Sequence, residues 1–302
     1  MDSEQIAYLN QLKEHLFHAI LEISDVIMYG DTHHVETINH FGDKQLSLDV
    51  LTDEVMFETL RKSKVVKYAL SEEKPELQDM GGDHFIVSFD PLDGSSIVDV
   101  NWSVGTIFCI WPNKDKLIGL TGRDILSAGI AVYGPRTTIL WYNVESGNVE
   151  EYSIKRDDND KLMWVRIKES VKIAEKGKIF APANMRASAD NKAYEALLEY
   201  WRTNKYTLRY TGGLVPDVYQ IFIKGQGIFA NPVSKEAPAK LRLLYEVAPI
   251  AFLVEKAGGK TSNGSHSILD IKVEDYTQKS PLAAGSKEEV ERFEKYMAEN
   301  RN

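Results

Sequence analysis

Residues 84–89, HFIVSF, form an apolar, β-rich run that breaks directly into Asp90-Pro91-Leu92-Asp93-Gly94-Ser95-Ser96. Pro91 and Gly94 force a tight turn there, because proline presets one backbone angle and glycine admits the left-handed region. The turn brings Asp90 and Asp93 to one side of the strand's carboxyl end, where the Leu92 carbonyl can join them. It also leaves the backbone N–H groups around Gly94, Ser95 and Ser96 able to receive an anion. A fold that accepts this segment has to close a strand onto a cluster of acids.

Oxygen-only ligands beside a phosphate-sized nest suit Mg²⁺ or Mn²⁺. A third carboxylate, Glu72 of Ser71-Glu72-Glu73, would let the cluster hold two ions about 3.5–4 Å apart, the arrangement that activates water and stabilises both oxygens of an in-line phosphoryl displacement. An aspartyl-phosphate mechanism fits poorly, since it sets its second Asp two residues after the first; here the interval is three, with Pro91 inside it. The one cysteine, Cys109, lies in a β-rich run without the Arg-rich loop of a thiol phosphatase. It also excludes an intrachain disulfide and a Cys-rich zinc site, so a reducing, cytoplasmic setting is expected. With 36 Lys and Arg against 45 Asp and Glu, a net charge of −9 speaks against general nucleic-acid binding and against an anionic membrane surface. No apolar run reaches the ~18–20 residues of a membrane span, and the first residues lack the pattern of a signal peptide.

Elsewhere the chain alternates helical and extended patterns. Ile6, Leu9, Leu12, Leu16, Ile20, Ile23 and Ile27 recur every three or four residues, one face of a helix that Gly30 ends. His33 and His34 follow in a polar loop, as a solvated pair and not a metal site. A second helix is expected over 53–64, strands over VGTIFCI (104–110) and TTILWY (137–142), and a charged tip or loop at KRDDND (155–160). In the second half, KIF (178–180) and YTLRY (206–210) read as strands, 190–201 as a helix and TGGLVPD (211–217) as a turn. Residues 241–257 read as an apolar helix kinked at Pro249 and stopped by Gly258-Gly259. Ser286 and Glu289 form the pattern of a capping box before a last helix. The basic, Gly-containing KIAEKGK at 172–178 predicts a boundary between residues 1–172 and 173–302.

FDPLDGSSIVDVN (89–101), SEEKPELQDMGG (71–82) and KLRLLYE (240–246), with TGRD (121–124), YGPRTT (133–138) and YTLRYTGGLVPDV (206–218), resemble the fructose-bisphosphatase and sedoheptulose-bisphosphatase family over nearly the whole chain. Ile97 and Thr211-Gly212-Gly213 stand where the fructose enzymes usually carry Asn and Val-Gly-Ser, so the likeness is nearer the sedoheptulose branch. The resemblance implies an α/β fold, a layered α-β-α-β-α sandwich with the metal site where the two halves meet. It implies two or three Mg²⁺ (or Mn²⁺) per site, with ligands falling on Glu72, Asp90, the Leu92 carbonyl, Asp93 and Glu246. Asp43 would join when its loop closes, and Asp49 and Glu73 would polarise the attacking water. Asp93, Gly94, Ser95 and Ser96 would lie against the substrate, and Asn184, Arg209, Tyr210, Lys240 and Arg242 would meet its distal phosphate; Arg242 could instead pair with a carboxylate near the metals. Asn231 and Ala187 stand where the fructose enzymes have phosphate-binding tyrosines, which would enlarge that end of the pocket. The implied activity is removal of the 1-phosphate of sedoheptulose 1,7-bisphosphate, with fructose 1,6-bisphosphate as the alternative substrate or a second one. The implied assembly is a homodimer or homotetramer that shares Arg209 between subunits, with no nucleic acid and no membrane as partner.

Overall fold

The computed structural model describes residues 1–30, 34–38 and 44–299; Asp43 and His33 lie outside them. The helices are α1 (Ser3–Tyr29), α2 (Ser47–Ser63), α3 (Ser95–Val98), α4 (Lys192–Thr203), α5 (Leu214–Lys224), α6 (Ala248–Lys256) and α7 (Lys287–Glu299). The strands are β1 (His34–Ile38), β2 (Lys44–Leu46), β3 (Val66–Ser71), β4 (Gln78–Asp79), β5 (Phe85–Asp93), β6 (Val104–Pro112), β7 (Ser127–Tyr133), β8 (Thr137–Asn143), β9 (Asn148–Arg156), β10 (Leu162–Lys168), β11 (Ile179–Pro182), β12 (Thr207–Leu208), β13 (Ile228–Asn231), β14 (Lys260–Ser262) and β15 (Leu282–Gly285).

Two mixed sheets carry the architecture. The first has eight strands in the order β10-β9-β8-β7-β6-β5-β3-β4, antiparallel throughout except for the parallel pair β3–β5. The second has five in the order β12-β11-β13-β15-β14, with β11 parallel to both of its neighbours. Helices α1 and α2 pack on the outer face of the large sheet, α5 and α6 fill the space between the sheets, and α4 and α7 cover the far side of the small one. This is the expected α-β-α-β-α layering. The largest apolar core lies between the sheets, around Phe222, Leu244, Ile250, Leu253, Ile107 and Trp111.

The predicted stripe of α1 is buried at Leu9, Leu12, Leu16, Ile20 and Ile23, and Gly30 ends the helix with its N–H on the Val26 carbonyl at 2.8 Å. Asp2 and Gln5 close a capping box at its start. Helix α2 begins six residues before the expected Asp53. Its inward face carries Asp49, Thr52 and Asp53 among Leu48, Met56, Phe57 and Leu60, and these buried polar groups hid the helical period. KRDDND does join two antiparallel strands, β9 and β10.

Four readings of the second half are corrected. YTLRY yields only two strand residues, Thr207–Leu208. TGGLVPD is not all turn: Leu214 opens α5, and Pro216 fits because the first turn of a helix needs no N–H there. Ser286 and Glu289 do not form a capping box. The Ser286 hydroxyl accepts from the Gly227 N–H at 3.1 Å, and the Glu289 carboxylate takes the Tyr206 hydroxyl at 2.8 Å. The segment 241–257 is not a regular helix kinked at Pro249: its helical run starts at Leu243 and opens with a π turn. Leu243–Val247 is a π-helical turn, and Pro249 sits in the first turn of α6, which follows it.

Candidate active site

Every residue of β5 is buried, up to and including the two acids at its end. Asp90 pairs with Ile107 and Asp93 with Gly105, so three steps along β5 face two along β6. The extra residue is a bulge, and bulges bend a strand and re-aim its side chains. The Thr106 hydroxyl holds the Pro91 carbonyl at 2.8 Å, the Leu92 N–H donates to Asp90 Oδ1 at 3.1 Å, and Gly94 takes the left-handed conformation at φ +93°.

Glu72 comes from the neighbouring parallel strand. It follows β3, and its N–H donates to the Phe89 carbonyl at 3.0 Å. Glu246 comes from the π turn, where its Oε2 accepts the Arg242 N–H at 2.6 Å. Carboxylate oxygens of Glu72, Asp90 and Glu246 lie within 4.8 Å of one another. Asp90 is 3% exposed and Glu246 6%. Burial, and then the neighbouring carboxylates led by Glu72, push both well above the ordinary carboxylate range. Burial also raises Asp93 to about 7, against the opposing pull of the Val215 N–H, which donates to its Oδ2 at 2.7 Å. The Arg242 guanidinium, 3.6 Å from Glu72, is the nearby cation. Buried acids held this close demand more positive charge than one guanidinium, and an all-oxygen donor set of this size fits Mg²⁺ or Mn²⁺.

The other predicted residues fall into two groups. Asp49 is buried in the first turn of α2, and Glu73 is near enough to Asp90 to raise its pKa. Gly94, Ser95 and Ser96 lie at the start of α3. Asn184, Tyr210 and Lys240 line a cavity of about 190 Å³ together with Asn231, Gly212, Leu214, Arg186 and Asp217. The Asn184 amide nitrogen donates to the Pro232 and Ala237 carbonyls at 2.8 and 3.1 Å, so this residue shapes the cavity wall. Arg242 does not line the cavity; it is buried against Glu72, with Nη1 on the Lys240 carbonyl at 2.5 Å. Arg209 is exposed and also outside the lining. Ala187 is fully buried in the outer apolar cluster around Trp201, so it does not enlarge this cavity as expected; Asn231 does face it.

Sequence reasoning missed three polar residues here. Arg186, two residues after Asn184, adds a cation to the cavity, and the spacing alone could have suggested it. Asp217 was hidden by the reading of its segment as turn. It accepts the Thr211 and Gly212 N–H groups at 2.7 and 3.1 Å, and burial lifts it to about 6. Asp53, 1% exposed, pairs with Lys74 at 2.7 Å and so ties α2 to the turn that carries Glu72 and Glu73.

The chain matches known proteins over nearly its whole length. The family model described as fructose-1-6-bisphosphatase, N-terminal domain, matches residues 6–161, and the corresponding C-terminal domain matches 173–298. The chloroplastic sedoheptulose-1,7-bisphosphatase of Spinacia oleracea is 52% identical over 265 residues, 87% of this chain and 67% of that protein. The same enzyme of Triticum aestivum is 51% identical over 86% of this chain and 65% of its own length. The chain thus spans about two thirds of these plant relatives. A class 1 fructose-1,6-bisphosphatase of Syntrophotalea carbinolica is 38% identical over 95% of this chain and 91% of its own. The crystal structure of a Toxoplasma gondii protein provisionally named a sedoheptulose-1,7-bisphosphatase superposes with a TM-score of 0.87 at 40% identity, covering 99% of this chain and 95% of that one. That of Leishmania major fructose-1,6-bisphosphatase gives 0.87 at 29% identity, over 96% and 94%.

Proposed function

Since the chain belongs to the fructose-1,6-bisphosphatase family, we propose that it is a sugar bisphosphatase that removes the 1-phosphate of sedoheptulose 1,7-bisphosphate. The observation that carries the reading is the cluster of half-buried Glu72 with buried Asp90 and Glu246, beside Asp93, which residues 211–215 join to a cavity that holds Lys240, Arg186 and Tyr210. Relatives named as sedoheptulose-1,7-bisphosphatases at about half identity support the seven-carbon substrate. Relatives named as fructose-1,6-bisphosphatases keep the six-carbon one as the second reading.

Glu72, Asp90, the Leu92 carbonyl, Asp93 and Glu246 would hold two or three Mg²⁺ or Mn²⁺. Bound there, the ions supply Lewis-acid polarisation of the phosphoryl oxygens and a lower pKa for water. Asp49 and Glu73 polarise and orient the attacking water, and Gly94, Ser95 and Ser96 present N–H groups to the phosphate that leaves. Asp43, outside the described residues, would complete the acid set. Lys240, Arg186 and Tyr210 bind the distal phosphate in the cavity, with Asn184 and Asn231 shaping its wall. Arg242 screens Glu72 and anchors Glu246 through its backbone N–H. Exposed Arg209 reaches the distal phosphate of a neighbouring subunit. The division at residues 172–173 separates a half that carries most of the metal ligands from a half that carries the distal-phosphate cavity. The single buried cysteine, Cys109, suits a reducing, cytoplasm-like compartment.

Phosphate release measured side by side on the two bisphosphates, with Mg²⁺ and with EDTA, tests this. The expected kcat/KM favours the seven-carbon substrate by about ten- to a hundredfold, the scale of a fit worth roughly 1–3 kcal/mol. Equal or reversed preference assigns the chain to the six-carbon reaction. Full activity in EDTA refutes the metal reading.

A further inference from the structure

The π turn that carries Glu246 has a structural problem that another strand solves. In this turn the Val247 N–H donates to the Arg242 carbonyl and the Ala248 N–H to the Leu243 carbonyl, each five residues back. The next carbonyl in the series is that of Leu244, and its partner five residues on is Pro249, which has no N–H. Its partner four residues on, Ala248, is already bonded to Leu243. Leu244 is 1% exposed, so water cannot substitute, and an unpaired buried carbonyl is costly.

Ser88 fills the gap. Its hydroxyl donates to the Leu244 carbonyl at 2.9 Å and accepts the Trp111 Nε1–H at 2.9 Å. The direction of this chain is set by chemistry, because an indole N–H only donates and a carbonyl only accepts. Ser88 and Trp111 are both fully buried. Ser88 lies two residues before Asp90 on β5, and so on the same face of the strand. Leu244 lies two residues before Glu246 in the π turn. One hydroxyl therefore joins the two backbones that present Asp90 and Glu246, residues 156 apart in the chain at their point of contact.

We propose that Ser88 is a positioning residue that sets the separation of the Asp90 and Glu246 carboxylates and thereby the affinity of the metal site. This rests on the metal reading above. Partners of this outer kind commonly change metal affinity by about 10–100-fold when removed.

Mn²⁺ titration of the full chain, followed by the electron paramagnetic resonance signal of the free ion, tests the proposal without relying on turnover. Ser88→Ala is expected to weaken Mn²⁺ binding about tenfold or more. The double variant Ser88→Ala with Pro249→Ala separates positioning from stability. Alanine at 249 restores an N–H five residues after Leu244, so the carbonyl is satisfied again while the link to β5 stays broken. Its melting temperature should return towards that of the unmodified chain, and its Mn²⁺ affinity should stay low. Pro249→Ala alone should bind Mn²⁺ as the unmodified chain does. If Ser88→Ala fails to fold, the double variant decides. Wild-type affinity in the double variant, or an equal loss in Pro249→Ala alone, overturns the proposal. No Mn²⁺ binding by the unmodified chain overturns the metal reading itself, and the role of Ser88 with it.

Discussion

Asp93 is held by the Val215 N–H and raised by burial to about 7. A carboxyl whose folded pKa is raised keeps its proton in the folded chain over a range where the unfolded chain has lost it. The folded state then binds more protons than the unfolded one, so stability falls as pH rises through that range. For Asp93 the window runs from the ordinary Asp value of 3.8 to about 7, and Asp90 and Glu246 act in the same direction. The melting temperature of the EDTA-treated chain should therefore drop between about pH 4 and about pH 7. Asp93→Asn keeps an acceptor for Val215 and removes the charge. Above about pH 7 it should melt higher than the metal-free parent by a few degrees, while phosphate release with Mg²⁺ falls by several orders of magnitude. Thermal melts across pH, and turnover of the same samples, check both halves. A parent curve flat across that range would contradict the charge argument.

At the scale of elements, the site depends on α5 lying directly against β6. A Cβ at Gly105 would fall 2.5 Å from the Val215 Cβ and 2.7 Å from the Ala131 carbonyl oxygen, distances that no side chain tolerates. Gly105 is thus the contact that lets the start of α5 reach Asp93. Gly105→Ala should lift α5 from the sheet, at a cost of about 1–3 kcal/mol. It should also raise the Mg²⁺ concentration needed for half-maximal rate, because the Val215 N–H leaves Asp93. Urea unfolding and a Mg²⁺ titration measure the two effects. A loss of stability with no change in Mg²⁺ dependence would uncouple α5 from the metal site. Two features at this level, the β5 bulge and the π turn, both depart from regular geometry where the acids are presented. Such departures often mark functional positions.

At the scale of the whole molecule, one subunit leaves Arg209 exposed and outside the cavity that its neighbours Tyr210 and Gly212 line. Leu208, the residue before it, is 60% exposed. Exchange between subunits tests whether this guanidinium completes a neighbouring site. Arg209→Ala alone should raise KM strongly and leave Mn²⁺ binding intact. Co-refolded with Asp93→Asn, it should recover about a quarter of the parent activity, since random pairing makes half the dimers mixed and each mixed dimer has one whole site. No recovery, or full activity in a monomer, would place the Arg in its own chain's site or in none. Among the described residues no helix is long and apolar enough to cross a membrane.

The sequence alone determined the parts of this protein that local chemistry dictates. The acid turn after β5 is written in proline and glycine, the stripe of α1 in its three- and four-residue spacing, and the donor set in its carboxylates. What it could not show is how distant segments meet. Asp49 and Asp53 broke the pattern of α2 because their burial is made tolerable by partners elsewhere, Lys74 among them for Asp53. Ala187 and Asn231 looked equivalent in sequence, yet one is packed in the outer cluster and the other faces the cavity. Pro249 read as a kink because its effect depends on register. The tertiary fold places it after a π turn and gives the orphaned Leu244 carbonyl to Ser88, 156 residues away. A hydrogen bond or ion pair between remote residues exists only once the layers have closed, so no local pattern of residues can announce it.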